Sequence, residues 1–141
     1  MHNLTENTKT ILLACETKAA GDPTAKAAQV DFSGWSRATF LLAVGSTDAT
    51  VDMKIQESDT TTAGDFADVA DAALTQIPAT GDDKLYAVEL NLDGRMRYGR
   101  PVITAGAGAT GAALSCVCIL SRGSASPIDA AGAGLTQRIL I

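Results

Sequence analysis

The residues Gly106-Ala107-Gly108-Ala109-Thr110-Gly111 have the spacing G-x-G-x-x-G with which backbone amides can cradle the phosphates of a dinucleotide. That chemistry needs a helix to begin directly after the glycines, because the aligned amides of its first turn hold the anion. The residues that follow, AALSCVCIL at 112–120, read as a strand. The glycine run is therefore expected to be a hairpin loop, and no cofactor is assigned. Nucleophilic catalysis needs a hydroxyl or thiol beside a base. The single histidine, His2, lies in a polar stretch expected to be a mobile arm, so no triad can be assembled and no catalytic residue is assigned.

Metal binding is weighed in the same way. Cys116 and Cys118 would point to one face of a strand, but a structural zinc site needs four ligands, and only Cys15 and His2 remain to complete it. The cysteines are read as small buried apolar side chains and no metal is assigned. Asp65, Asp68 and Asp71 could offer carboxylates to calcium, yet no cleft is implied around them and they are read as a solvated face. Arg95, Arg97 and Arg100 are the one concentration of basic residues in a chain of net charge -5. Phosphate backbones are held by clustered Lys and Arg, so nucleic acid is not an expected partner.

The elements that would carry these residues are strands. In RATFLLAVGSTDATVDMKIQES, residues 37–58, Ala38, Phe40, Leu42 and Val44 alternate with residues of the opposite face, as do Val51, Met53 and Ile55. With Gly45-Ser46-Thr47-Asp48 between them, the two runs are expected to pair as a hairpin with one buried face. Residues 10–16 (TILLACE) and 112–120 are apolar on both faces, which for the second suits a central strand covered from both sides. Residues 66–77 (FADVADAALTQI) fit either a helix capped by Asp65 or a strand, which the β-like surroundings favour, and further strands are expected at 29–32, at 84–92 with Tyr86, Val88, Leu90 and Leu92 inward, and at 97–105. Asp93-Gly94 is expected to turn the chain between the last two. Pro101 removes a ladder donor, so the strand holding it should be at an edge or bulged. Trp35, the one tryptophan, is expected to cover the end of the core.

A chain of 141 residues with 46% apolar content is enough for one domain with a real core. The apolar run at 112–120 is about half of the roughly 20 residues that a membrane helix needs, so no membrane partner is expected. The first residues lack the basic start and apolar middle of a signal peptide, and the protein is expected to remain in the cytosol that makes it, with its cysteines as thiols. Seven or eight short strands at near-regular spacing predict an all-β fold, an antiparallel β-sandwich, with jelly-roll and immunoglobulin-like connections both open on pattern alone. The expected organisation is an N-terminal arm at 1–9, a sandwich domain at 10–123 and a C-terminal arm at 124–141. That last segment is rich in Gly, Ala and Ser but ends in LTQRILI. An exposed apolar tip forgoes the ~1.5 to 3 kcal/mol per large side chain that burial gives, so Leu135, Arg138, Ile139, Leu140 and Ile141 are expected to bind a partner.

The segments VDFSGW, ATFLLAVG, VDMKIQES, FADVADA and RMRYGRPVITAGAGATGAALSCVCILSRG carry a resemblance, extending over about residues 10–123, to the capsid cement, or decoration, proteins of tailed phages. These are small proteins that lie on the shell of an HK97-like capsid. The resemblance implies a jelly-roll-type sandwich that assembles symmetrically and bridges neighbouring capsomers by contact with the major capsid protein on the exterior of the virion; a protein that bridges twofold-related capsomers is in turn expected to be a homodimer on the shell. A ligand- or receptor-binding sandwich of a phage tail or surface structure is the alternative, with Trp35, Tyr86 or Tyr98 stacking on the ligand.

Overall fold

Alternating apolar residues bury one face of most of these runs, and eight strands form among the described residues. The computed structural model describes residues 4–18, 29–124 and 132–137. Its strands are β1 (Thr8–Lys18), β2 (Val30–Asp31), β3 (Trp35–Thr47), β4 (Val51–Ser58), β5 (Ala67–Ala73), β6 (Lys84–Asn91), β7 (Tyr98–Ala105) and β8 (Ala112–Gly123). They build two four-stranded sheets, in the orders β1-β8-β3-β6 and β2-β7-β4-β5. Every pairing is antiparallel. The all-β sandwich expected from the sequence is thus the fold.

The core lies between the sheets. One side is Ala38, Phe40, Leu42 and Val44 of β3 with Leu114, Cys116, Cys118 and Leu120 of β8; the other is Val51, Met53 and Ile55 of β4 with Ile103 of β7. The inward residues expected on β3, β4 and β8 are buried, as is Leu90, while Val88 on the outermost strand of its sheet is half-buried. Phe32 meets Phe40 edge to face, with ring centroids 6.4 Å apart, and its ring lies where a side chain at Gly99 would have to go. Trp35 packs half-buried against the same cluster.

The expected hairpin at 37–58 does not form. β3 lies between β8 and β6, with Leu42 opposite Cys116 and Tyr86, and β4 lies between β7 and β5 in the other sheet, with Met53 opposite Ile103. Period-2 alternation reports which face of a strand is buried and not which strand lies beside it. Here both apolar faces are satisfied by looking at each other across the core. The chain turns at 48–50, where the Thr47 hydroxyl donates to the Ala49 carbonyl at 2.7 Å and accepts from the Ala49 amide at 3.2 Å, while Gly45 and Ser46 stay in β3. For the same reason Gly106–Gly111 is not a hairpin loop. It carries the chain from β7 to β8 in the opposite sheet, just as Asp93 and Gly94 carry it from β6 to β7. β4 and β5 do pair as consecutive strands, with a register shift beside Asp71, whose φ is +60°.

Pro101 behaves as expected of an edge residue. β2 covers β7 only at Tyr98 and Gly99. The Phe32 amide donates to the Arg97 carbonyl and the Gly106 amide to the Thr50 carbonyl, so odd-numbered residues of β7 turn toward β2 and even-numbered ones toward β4. Pro101 therefore lacks its N–H on the open side, where the loss leaves no ladder bond unmade.

Candidate interaction surface

The outer face of sheet β1-β8-β3-β6 is apolar and nearly uncharged. Cross-strand register lines up Leu12, Val117, Leu41 and Ala87 in one row, and Cys15, Ser115, Ala43 and Leu85 in the next. Leu12 is 62% exposed and Leu85 65%, so these side chains are not a second core. Arg37 and Glu89, toward one end, are the charges among the outward residues of these strands. A shallow groove of about 440 Å³ runs along the face, lined by Cys15, Thr17, Ala43, Gly45, Ala113 and Ser115, with Glu16 and Leu114 also at its wall. The sequence carried a signal for this surface, since 10–16 and 112–120 are apolar on both faces. The described residues cover one face of β8 and leave Ala113, Ser115, Val117 and Ile119 of the other half-buried, a correction to the strand expected to be covered on both sides.

The outer face of the other sheet is polar and internally paired. Asp68 accepts from Lys54 and from Gln56, each at 2.7 Å, and Gln56 in turn accepts from Arg100 at 2.8 and 3.0 Å. Gln76 donates to Asp52 at 3.0 Å. Arg97 makes a two-pronged contact with Asp31, and Arg95 pairs with Glu57 at 3.4 Å. Arg100 also stacks over the Phe66 ring, 4.2 Å from its centroid. All three arginines that the sequence clusters thus have partners within the fold.

Of the residues weighed for chemistry, the glycine run meets an internal anion. The Asp48 carboxylate accepts from the amides of Thr110 and Gly111, each at 2.8 Å. The Thr110 amide is the main reason that the Asp48 carboxyl titrates below its usual range. Asp68 is turned to Lys54, and Asp65 accepts from the Thr60 hydroxyl, so these two carboxylates serve different neighbours. Cys116 and Cys118 both face the core, where burial pushes their thiols up to about 11 and about 12, while Cys15 is exposed. Trp35 and Tyr98 begin strands of opposite sheets, and the hydroxyl of Tyr86, the third residue of β6, donates to the Gly81 carbonyl at 3.5 Å.

Of the expected partner-binding residues, Leu135 is half-buried, whereas Arg138, Ile139, Leu140 and Ile141 lie outside the described residues. The segment 132–137 runs beside β1. The Ala133 carbonyl accepts from the Thr10 amide at 2.7 Å and Ala133 is buried. Gly134, at φ +76°, passes so close to the Thr10 carbonyl that no side chain fits between them. β1 itself takes in Thr8 and Lys9, which pair with Ser121 and Leu120.

No protein-family model and no curated protein matches the chain. Among solved structures, the SPBc2 prophage-derived protein YomS superposes with a TM-score of 0.49 at 11% identity, over 81% of this chain and 92% of that one. The coat protein of Tobacco streak virus does so with a TM-score of 0.42 at 11% identity, over 90% and 94%. Likeness at this level says nothing of what the chain binds.

Proposed function

We propose that the protein is a structural, non-catalytic component of a phage virion: a cement or decoration protein that binds the outer surface of an HK97-like shell and clamps neighbouring capsomers. The observation that carries this reading is the apolar outer face of β1-β8-β3-β6. An acidic domain that keeps one broad face neutral and aliphatic, and pairs the charges of the other, fits a protein surface better than a nucleic acid or a small polar ligand. The major capsid protein is the partner, and a homodimer on the shell matches the twofold relation between capsomers. Leu135, Arg138, Ile139, Leu140 and Ile141 add a second contact. The strand order 1-8-3-6 over 2-7-4-5, in which most connections cross between sheets, supports the jelly-roll connection that the sequence resemblance implies.

Co-sedimentation with purified shells tests this. Wild-type protein is expected to pellet with shells in a fixed ratio, and Leu41→Lys with Val117→Lys to stay in the supernatant while melting like wild type. A wild type that does not pellet, or a double variant that pellets as well as wild type, sinks the reading.

A further inference from the structure

An open β-sheet edge is a template for another strand, and folded proteins block such edges. Three of the four edges here are blocked, each by a different device. β1 has a register shift between Leu12 and Ala14, and its Thr10 amide is taken by Ala133. β5 breaks register beside Asp71, a non-glycine residue at φ +60°. On the β2-β7 side, β2 is two residues long and the exposed stretch of β7 carries Pro101. Among the described residues, β6 has none of these. It holds unbroken register with β3 over all eight residues, from Lys84 opposite Val44 to Asn91 opposite Arg37.

Hydrogen-bond parity shows what this edge presents. The Leu92 amide donates to the Ser36 carbonyl, so the even-numbered residues of β6 face β3. Leu85, Ala87 and Glu89 therefore aim their amides and carbonyls outward, and all three residues are exposed.

We propose that β6 is the pairing edge for a second copy of this chain, joined antiparallel about a twofold axis at Ala87 to make one continuous eight-stranded sheet. The pattern of β6 is self-complementary in that register. Leu85 meets the partner's Glu89, Ala87 meets its own mate, and the outward groups of these residues face each other directly, which is the arrangement that exchanges both N–H···O bonds. On the inner face Tyr86 meets the partner's Val88, an aromatic with a β-branched residue, and both are half-buried in the single chain. The pairing also doubles the apolar outer face, since Leu85 and Ala87 lie at its margin. It specifies the homodimer of the proposed function, but it is tested away from any shell.

Proline at 87 removes an outward N–H without breaking a bond to β3, so Ala87→Pro separates pairing from folding. Sedimentation across a wide range of protein concentration is expected to give a dimer for wild type and for Ala87→Ser. Ala87→Pro should be a monomer with unchanged far-ultraviolet circular dichroism. A wild type that is monomeric throughout, or an Ala87→Pro protein as dimeric as wild type, overturns the pairing, and shell binding by monomeric wild type would leave the proposed function standing. If Ala87→Pro does not fold, amide exchange in wild type decides. Leu85, Ala87 and Glu89 should be protected at high concentration and lose protection on dilution; exchange that is fast at every concentration overturns the proposal.

Discussion

Asp48 and Gly111 hold each other in both directions: the Gly111 amide donates to the Asp48 carboxylate at 2.8 Å, and the Asp48 amide donates to the Gly111 carbonyl at 3.2 Å. The contact ties the β3–β4 turn to the start of β8. It also places a carboxylate where a dinucleotide phosphate would have to sit.

The pH dependence of stability follows from this carboxylate and two others. Asp48, held mainly by the Thr110 amide, Asp31, held by Arg97, and Asp68, held by Lys54, all titrate below the ordinary range. A carboxyl whose folded pKa is depressed stabilises the fold above its unfolded pKa of about 3.9 and loses that contribution as pH falls through the folded value. Asp48→Asn is therefore expected to melt below wild type at neutral pH, with the gap closing under about pH 4. Thermal melts at a series of pH values check this, and a gap that is constant with pH contradicts it.

Thiol chemistry should separate the cysteines. Cys15 is exposed on the outer face, whereas Cys116 and Cys118 are buried with thiols raised to about 11 and about 12. A chromogenic disulfide reagent near pH 8 is expected to titrate one thiol rapidly and the other two only on unfolding. Three equally fast thiols would place β8 elsewhere.

Two leucines on opposite faces of one sheet should differ sharply. Leu42→Ala empties a fully buried site and is expected to cost about 2 to 5 kcal/mol in urea denaturation. Leu12→Ala, at an exposed site away from the β6 edge, should stay within about 0.5 kcal/mol. A cost for Leu42→Ala below that smaller figure would mean that the face is assigned backwards.

Gly134→Ala probes the strap over β1. The new methyl would run into the Thr10 carbonyl and would also require an alanine at φ +76°. The Thr10 amide is then expected to exchange faster, with the amides of β3 unchanged, as read by site-resolved hydrogen exchange. Equal protection of Thr10 in both proteins would show that Ala133 does not hold it.

The strands and their inward faces were legible because alternation at Phe40, Leu42, Val44, Val51, Met53 and Ile55 has one physical meaning, burial of every second side chain. Pairing was not legible. Nothing in those residues distinguishes a neighbour in the same sheet from one across the core, so the β3–β4 connection was read as a hairpin. Edge position was legible at Pro101, where a missing donor has a direct cost, and illegible at β6, whose openness depends on what the other edges do. The apolar outer face was half legible: the two-sided apolar runs announced it, but not that its leucines would face outward.

β8 lies in the middle of its sheet, between β1 and β3. Among the described strands it is also the latest in sequence. Among the described residues, β1 has no strand partner in its sheet until residues 112–123 emerge, and the only pairing of consecutive strands already available is β4 with β5. This sheet cannot close piecemeal, so its completion waits for residues 112–123 and requires a long loop closure between β1 and β8. Chains that stop before residue 112 would carry two orphaned sheet edges and an uncovered core, the features that make incomplete folds prone to aggregate.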